Sequence, residues 1–168
     1  MSVSYAHFQT GLEEAQHALT VSSPKTTHCT RSGVIVLRQS GGKPLKIKAE
    51  LLAEGSSRTV TSLGWHEIAI YRTEEDGIVV AIRSLRNGGA ESCVHRARSF
   101  PDTDQAATWL EEFDPSFDLS ADFDVADPRA SAASVSLKAA TLRDRTDRLK
   151  RDYRCLVGEV LFRLETET

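Results

Sequence analysis

The hydrophobic pattern changes period several times along this chain, and each period predicts an element. Tyr5, Phe8, Leu12, Ala15 and Leu19 recur at steps of three and four. That spacing predicts an amphipathic helix over 4–19, with Ser2 or Ser4 as its cap and the SSPKTT stretch as its end. From Gly33 the period becomes that of strands. GVIVL is short, apolar and β-branched. After the turn Ser40-Gly41-Gly42-Lys43-Pro44, apolar Leu45, Ile47, Ala49 and Leu51 alternate with Lys46, Lys48 and Glu50, as on a half-buried strand. Gly55-Ser56-Ser57 then turns the chain into a further strand signal over 58–63. Strands over 65–72 and 78–85 flank Thr73-Glu74-Glu75-Asp76-Gly77, whose Asp-Gly supports a hairpin. Asn87-Gly88-Gly89 leads to a last strand over 92–100. Pro101-Asp102-Thr103-Asp104 opens a helix over 105–113, with Ala106, Trp109, Leu110 and Phe113 on one face.

Two later stretches are less ordinary. From 117 to 125, Phe117, Leu119, Ala121, Phe123 and Val125 alternate strictly with Asp118, Ser120, Asp122 and Asp124. Period two predicts a strand with one apolar and one acidic face. Aspartate is a poor strand former, so three on one face imply a positive partner for that face. From about 130 to 164 there is no proline, and Val135, Leu142, Leu149 and Leu156 recur by sevens, with Ala139, Thr146, Tyr153 and Val160 in the alternate seam. This is a heptad pattern over about four repeats, and so narrow a stripe calls for a partner helix in cis or in a second copy.

The expected fold is therefore α+β. An antiparallel meander of five or six strands carries an N-terminal helix, a short helix after the sheet and a long C-terminal helix. The expected division is 1–127 for the α+β domain and 128–168 for the long helix, which either dimerises through Val135, Leu142, Leu149, Tyr153, Leu156 and Val160 or packs back on the sheet.

Composition adds limits. A chain of 168 residues with 40% hydrophobic and 27% charged residues has the makeup of one globular domain. No apolar run approaches the roughly 20 residues that span a bilayer, and the start has no secretory pattern. Three scattered cysteines without a CxxC fit a reducing cytoplasm, so a cytoplasmic location without membrane contact is expected. The net charge of −3 hides a contrast. Residues 1–100 carry 12 Lys/Arg against 9 Asp/Glu, 101–128 carry none against 9, and 129–168 carry 9 against 6.

Five constellations bear on function. Alternate residues on one strand face lie roughly 6.5–7 Å apart, near the phosphate spacing of a nucleic-acid strand. Asp118, Asp122 and Asp124, with Asp114 and Asp127, are thus able to imitate a phosphate row. The plainer alternative is that they pair with this chain's own arginines. Arg96 and Arg98 share a strand face, with Arg83, Arg86 and Arg72 on earlier strands, in a patch suited to carboxylates or phosphates by forked hydrogen bonds. No aromatic residues interleave them to stack bases. Cys93 and His95, with His28 and Cys29, are a weak zinc set because their spacing is not that of a finger or ribbon. Cys93 with His66 or His95 can be drawn as a thiol nucleophile, but no motif fixes it, and HEIAI lacks the second histidine of HExxH. Arg143, Arg145, Arg148, Lys150, Arg151 and Arg154 on the last helix are interrupted by Asp144, Asp147 and Asp152, unlike a DNA-reading basic helix.

The expectation is a non-catalytic, homodimeric interaction protein without a cofactor, which presents its acidic segment or arginine patch to a macromolecular protein partner. A nucleic-acid-binding accessory protein using the arginines is the alternative, and a small thiol- or metal-dependent enzyme ranks last.

Overall fold

The computed structural model describes residues 33–86, 93–119, 124 and 129–167. Strands β1 (Gly33–Leu37), β2 (Leu45–Ser56), β3 (Gly64–Thr73), β4 (Ile78–Arg86) and β5 (Val94–Phe100) precede helices α1 (Thr103–Glu112) and α2 (Ala132–Glu167). The sheet is an antiparallel meander in the order β1-β2-β3-β4-β5. The expected N-terminal helix over 4–19 lies outside the described residues. Among those residues no helix is long and apolar enough to cross a membrane.

One face of the sheet carries the helices. Ile68 and Ile70 from β3, with Val80 and Ile82 from β4, alternate inward as period two requires. They meet Ala106 and Leu110 of α1 and Tyr153, Leu156, Val157, Val160 and Leu164 of α2 in one buried cluster. Asp102 starts α1 by accepting hydrogen bonds from Gln105 N (2.8 Å) and Gln105 Nε2 (2.9 Å), so the helix entrance lies in Pro101-Asp102-Thr103-Asp104 as expected. Ser131 caps α2 in the same manner, its Oγ accepting from Ser134 N at 3.2 Å.

The other face is concave. The chain leaving β1 returns to β5: Ser40 N donates to His95 O, His95 N donates to Ser40 Oγ, and Gln39 Nε2 donates to Ala97 O, each at 2.9 Å. This curl buries Leu37, Ala49 and Val79, which stand apart from the cluster under the two described helices. A bulge at Leu52 makes the curl compatible with the helices, because the β2–β3 register slips between Leu51 and Ala53. One extra residue moves every later side chain to the opposite face. Ala49 and Leu51 therefore face the concavity with Thr73 and Tyr71, while Ala53 and Gly55 face α2 with Ile70 and Ile68.

Three expectations change here. Gly55 is a strand residue rather than part of a turn. A Cβ built on it would lie 2.7 Å from Leu156 Cδ1 and 2.8 Å from Val160 Cγ2, so its missing side chain lets α2 approach β2. Residues 58–63 form a turn and not a strand, with Ser62 N donating to Thr59 O and Thr59 N to Ser62 Oγ. The acidic strand is absent where it is described: 115–118 is a turn. Asp114 starts it, its Oδ1 accepting from Ser116 N (3.0 Å) and Ser116 Oγ (2.6 Å), which is local side-chain bonding that competes with a ladder. Asp122 and Asp127 lie outside the described residues.

The contact at Gly55 has a measurable consequence. Gly55→Ala is expected to lower unfolding stability by about 1–2 kcal/mol through overpacking against Leu156 and Val160. Urea melts check this: the midpoint falls while the slope is unchanged. An unchanged midpoint would mean that α2 stands further from β2.

Candidate interaction surface

Arg96 sits on β5 opposite Ile82, on the helix-bearing face. Its guanidinium holds the Asp118 carboxylate by two hydrogen bonds of 2.7 and 2.6 Å, and Nη1 also donates to Ser84 Oγ at 3.4 Å. The rings of Phe113 and Phe117 lie 5.4 and 5.9 Å from it, within cation–π reach. The Arg96 hydrogen bonds hold the Asp118 carboxyl below the usual carboxylate range, against the opposing effect of burial. Asp118, the first of the three alternating acids, is thus satisfied inside its own chain. Asp114 is tied to Ser116, the main cause of its lowered pKa, and lies 3.6 Å from Lys150 Nζ. Asp124 is exposed and engaged in an interaction of its own.

The arginine set is divided between the two faces. Arg98 shares the Arg96 face and lies over Phe100 at 5.3 Å. Arg83 pairs with His95 in the register, so it points into the concavity, where it is bonded to Glu67. Arg72, level with Ile78, and Arg86, level with Gly64, keep the parity of Arg96 and Arg98, so Arg83 alone of the set falls on the concave face.

Cys93 and His95 do come together, with Sγ 3.2 Å from Nε2. Burial, then the charges of Arg38 and Arg83, lower the His95 pKa and keep the imidazole neutral near pH 7. A neutral imidazole beside a thiol is able to accept its proton, the first requirement of a thiol nucleophile. Among the described residues no group of three or more His, Cys, Asp or Glu side chains is arranged for a metal. His28 and Cys29 lie outside those residues.

His66 is unrelated to that pair. It is 1% exposed, with its ring edge-on to Tyr153 (5.2 Å) and Phe113 (6.0 Å), and neither ring nitrogen has a hydrogen-bond partner. Nothing in HEIAI marks this histidine as a core residue except its place in the apolar alternation of β3.

The heptad seam has two fates. Tyr153, Leu156 and Val160, expected to serve a second copy, are buried in this chain's own core. The reason is geometric: the seam's last turns cross the sheet, where Gly55 admits them. Tyr153 Oη also donates to Leu110 O at 2.9 Å, satisfying a carbonyl in the last turn of α1. Val135, Leu142, Thr146 and Leu149 continue the same stripe and are only half-buried, and no residue from 132 to 152 is buried. That stretch is about 30 Å long at the helical rise. Lys138 and Arg145 border the stripe on one side, Arg143 and Lys150 on the other. Arg148 and Asp144 pair at 2.9 Å on the outer surface.

No family model, curated protein or solved structure matches this chain. The functional reading therefore rests on surfaces.

Proposed function

We propose that this protein is a non-catalytic interaction module, and that the first half of α2 takes an acidic amphipathic helix of another protein. The observation that carries this reading is the half-buried seam Val135, Leu142 and Leu149 with basic residues on both borders. Half-buried apolar side chains gain stability by further burial, at about 25 cal/mol per Å². A second copy of α2 would bring these basic borders against each other in either orientation, whereas acidic borders complement them. The homodimer is accordingly replaced by a heterologous pairing, and the docking surface moves from the acidic segment to α2. Internal use of Asp118 and Asp114 supports that move.

Affinity capture from the native lysate, with and without nuclease, tests it. The chain should retain a stoichiometric protein partner after nuclease. Leu142→Glu with Leu149→Glu should weaken capture at least tenfold, a loss of about 1.4 kcal/mol or more, while the melting temperature stays within a degree or two. Lys138→Glu with Lys150→Glu should weaken it as well. Capture abolished by nuclease would favour the arginine-based nucleic-acid reading. A wild-type dimer in light scattering that the leucine variants convert to monomer would restore the homodimer.

A further inference from the structure

The concave face of the sheet holds a cleft of about 740 Å³ that α2 pairing does not use. Strand register defines its walls. One cross-strand row is Ser56, Glu67, Arg83 and His95; the next is Glu54, Ala69, Ala81 and Ala97; the third is Leu51, Tyr71, Val79 and Ser99. Of the middle row, Ala69 and Ala81 on neighbouring strands form the floor of the cleft, with Ala97 level with Ala81 just beyond it. Alanine is depleted in strands because it packs little surface, and the opposite face of β3 and β4 is isoleucine and valine. Small side chains there leave the volume open between the Tyr71 wall and the Glu67–Arg83 wall.

The charges around the cleft are not all internally matched. Glu67 and Arg83 pair with each other. Arg163 donates to the Glu54 carbonyl and pairs with Glu159. Among the described residues this leaves the Glu54 carboxylate and the Arg38 guanidinium without an ion-pair partner, and both line the cleft. They stand at opposite rims. Glu54 is on β2, close enough for its charge to raise the Tyr71 pKa behind the larger effect of burial. Arg38 follows β1 where the curl meets β5, close enough for its charge to act on His95. From β2 to β5 is three strand spacings, about 14 Å on a flat sheet and less on a curled one.

We propose that this cleft binds a short peptide through its free termini, with Glu54 taking the ammonium group, Arg38 the carboxylate, and the alanine row the backbone between them. An extended tripeptide spans about 10 Å, which suits the curled distance. A simple anion would meet Glu54 and Glu67, a simple cation would meet Arg38, Arg83 and Arg163, and an apolar ligand would strip water from two unpaired charges. Only opposite charges at opposite ends satisfy both rims. The volume is in the range of natural small-ligand sites.

Titration of the full chain with trialanine, followed by amide chemical shifts, tests this directly. Saturable shifts are expected at Ala69, Tyr71 and Ala81. N-acetyl-trialanine and trialanine amide should each bind at least tenfold more weakly. Glu54→Gln should weaken trialanine and erase the penalty of acetylation, and Arg38→Gln should do the same for amidation. Both side chains are outside the core, so circular dichroism melts should show these variants folded. Ala81→Leu should fill the cleft and abolish the shifts. Absence of saturable shifts at millimolar trialanine overturns the proposal, and so does equal binding of the blocked peptides. Neither result touches the α2 surface, whose test is separate.

Discussion

Acidifying this protein from neutral pH to pH 4 should remove about 3 kcal/mol of stability through His66 alone. Burial is the main cause that lowers its pKa from 6.5 to about 4; the Asp118 charge opposes this weakly and the Arg96 charge assists. Residues packed on it from the other elements, Phe113 after α1 and Tyr153 of α2, bring rings and a phenol already committed to Leu110 O. Among the described residues neither ring nitrogen has a hydrogen-bond partner. The group is a base with a depressed folded pKa, so the unfolded chain binds the proton more tightly between the two values. Its contribution is fully present above pH 6.5, declines as pH falls, and is gone below about 4. Each unit is worth about 1.4 kcal/mol, which gives the total. His95 acts in the same direction but is less buried. Urea melts across this range, on wild type and His66→Phe, check the assignment. The phenylalanine keeps the ring contacts and removes two orphaned nitrogens, so it should flatten most of the slope without losing stability at pH 7. A His66 ring that titrates near 6.5 by NMR would sink the idea.

Much of this architecture was legible in residue period. The four residues at 74–77 close the β3–β4 hairpin as Asp-Gly predicted, with Asp76 at a φ of 60°. The alternation in β2, the helix entrance at 101–104 and the length of α2 also read directly from the chain. What stayed hidden depends on pairing between distant segments. The bulge at Leu52 has no local mark, yet it decides which face Gly55 occupies. A glycine between serines carries the signature of a turn, and only α2 above it reveals a packing contact. Heptad spacing specifies a stripe without specifying what covers it, so Tyr153, Leu156 and Val160 read as a dimer seam or as a face packed back on the sheet, and the second holds for them. The alanine floor was visible as Ala69 and Ala81 in two separate strands, but only register places them side by side. For the acidic stretch, Asp114-Pro115-Ser116 was a turn signal that the alternation after it obscured.

Removing the Arg96 guanidinium while keeping its stem, by Arg96→Met, should cost about 2–3 kcal/mol. Both partners are largely shielded, with side chains 25% and 15% exposed, so the loss is smaller than the 3–5 kcal/mol typical of a fully buried pair left half-broken. Most of that cost is the penalty of an uncompensated Asp118 carboxylate, not the loss of attraction itself. Arg96→Met combined with Asp118→Leu should therefore recover much of the stability, and the double-mutant cycle measures the coupling. The pH dependence separates this pair from His66. Asp118 has a folded pKa below its ordinary 3.8, so its contribution is present above that value and is lost as pH falls further. Wild type should show this second acid loss below the His66 window, and Arg96→Met should not. The same pair decides the phosphate-mimic idea. If Asp118→Asn destabilises the fold, the acid is structural. If it leaves the melt unchanged and instead abolishes capture of a protein partner, the internal pairing with Arg96 gives way to the acidic surface, and the reading of α2 as the docking face falls with it.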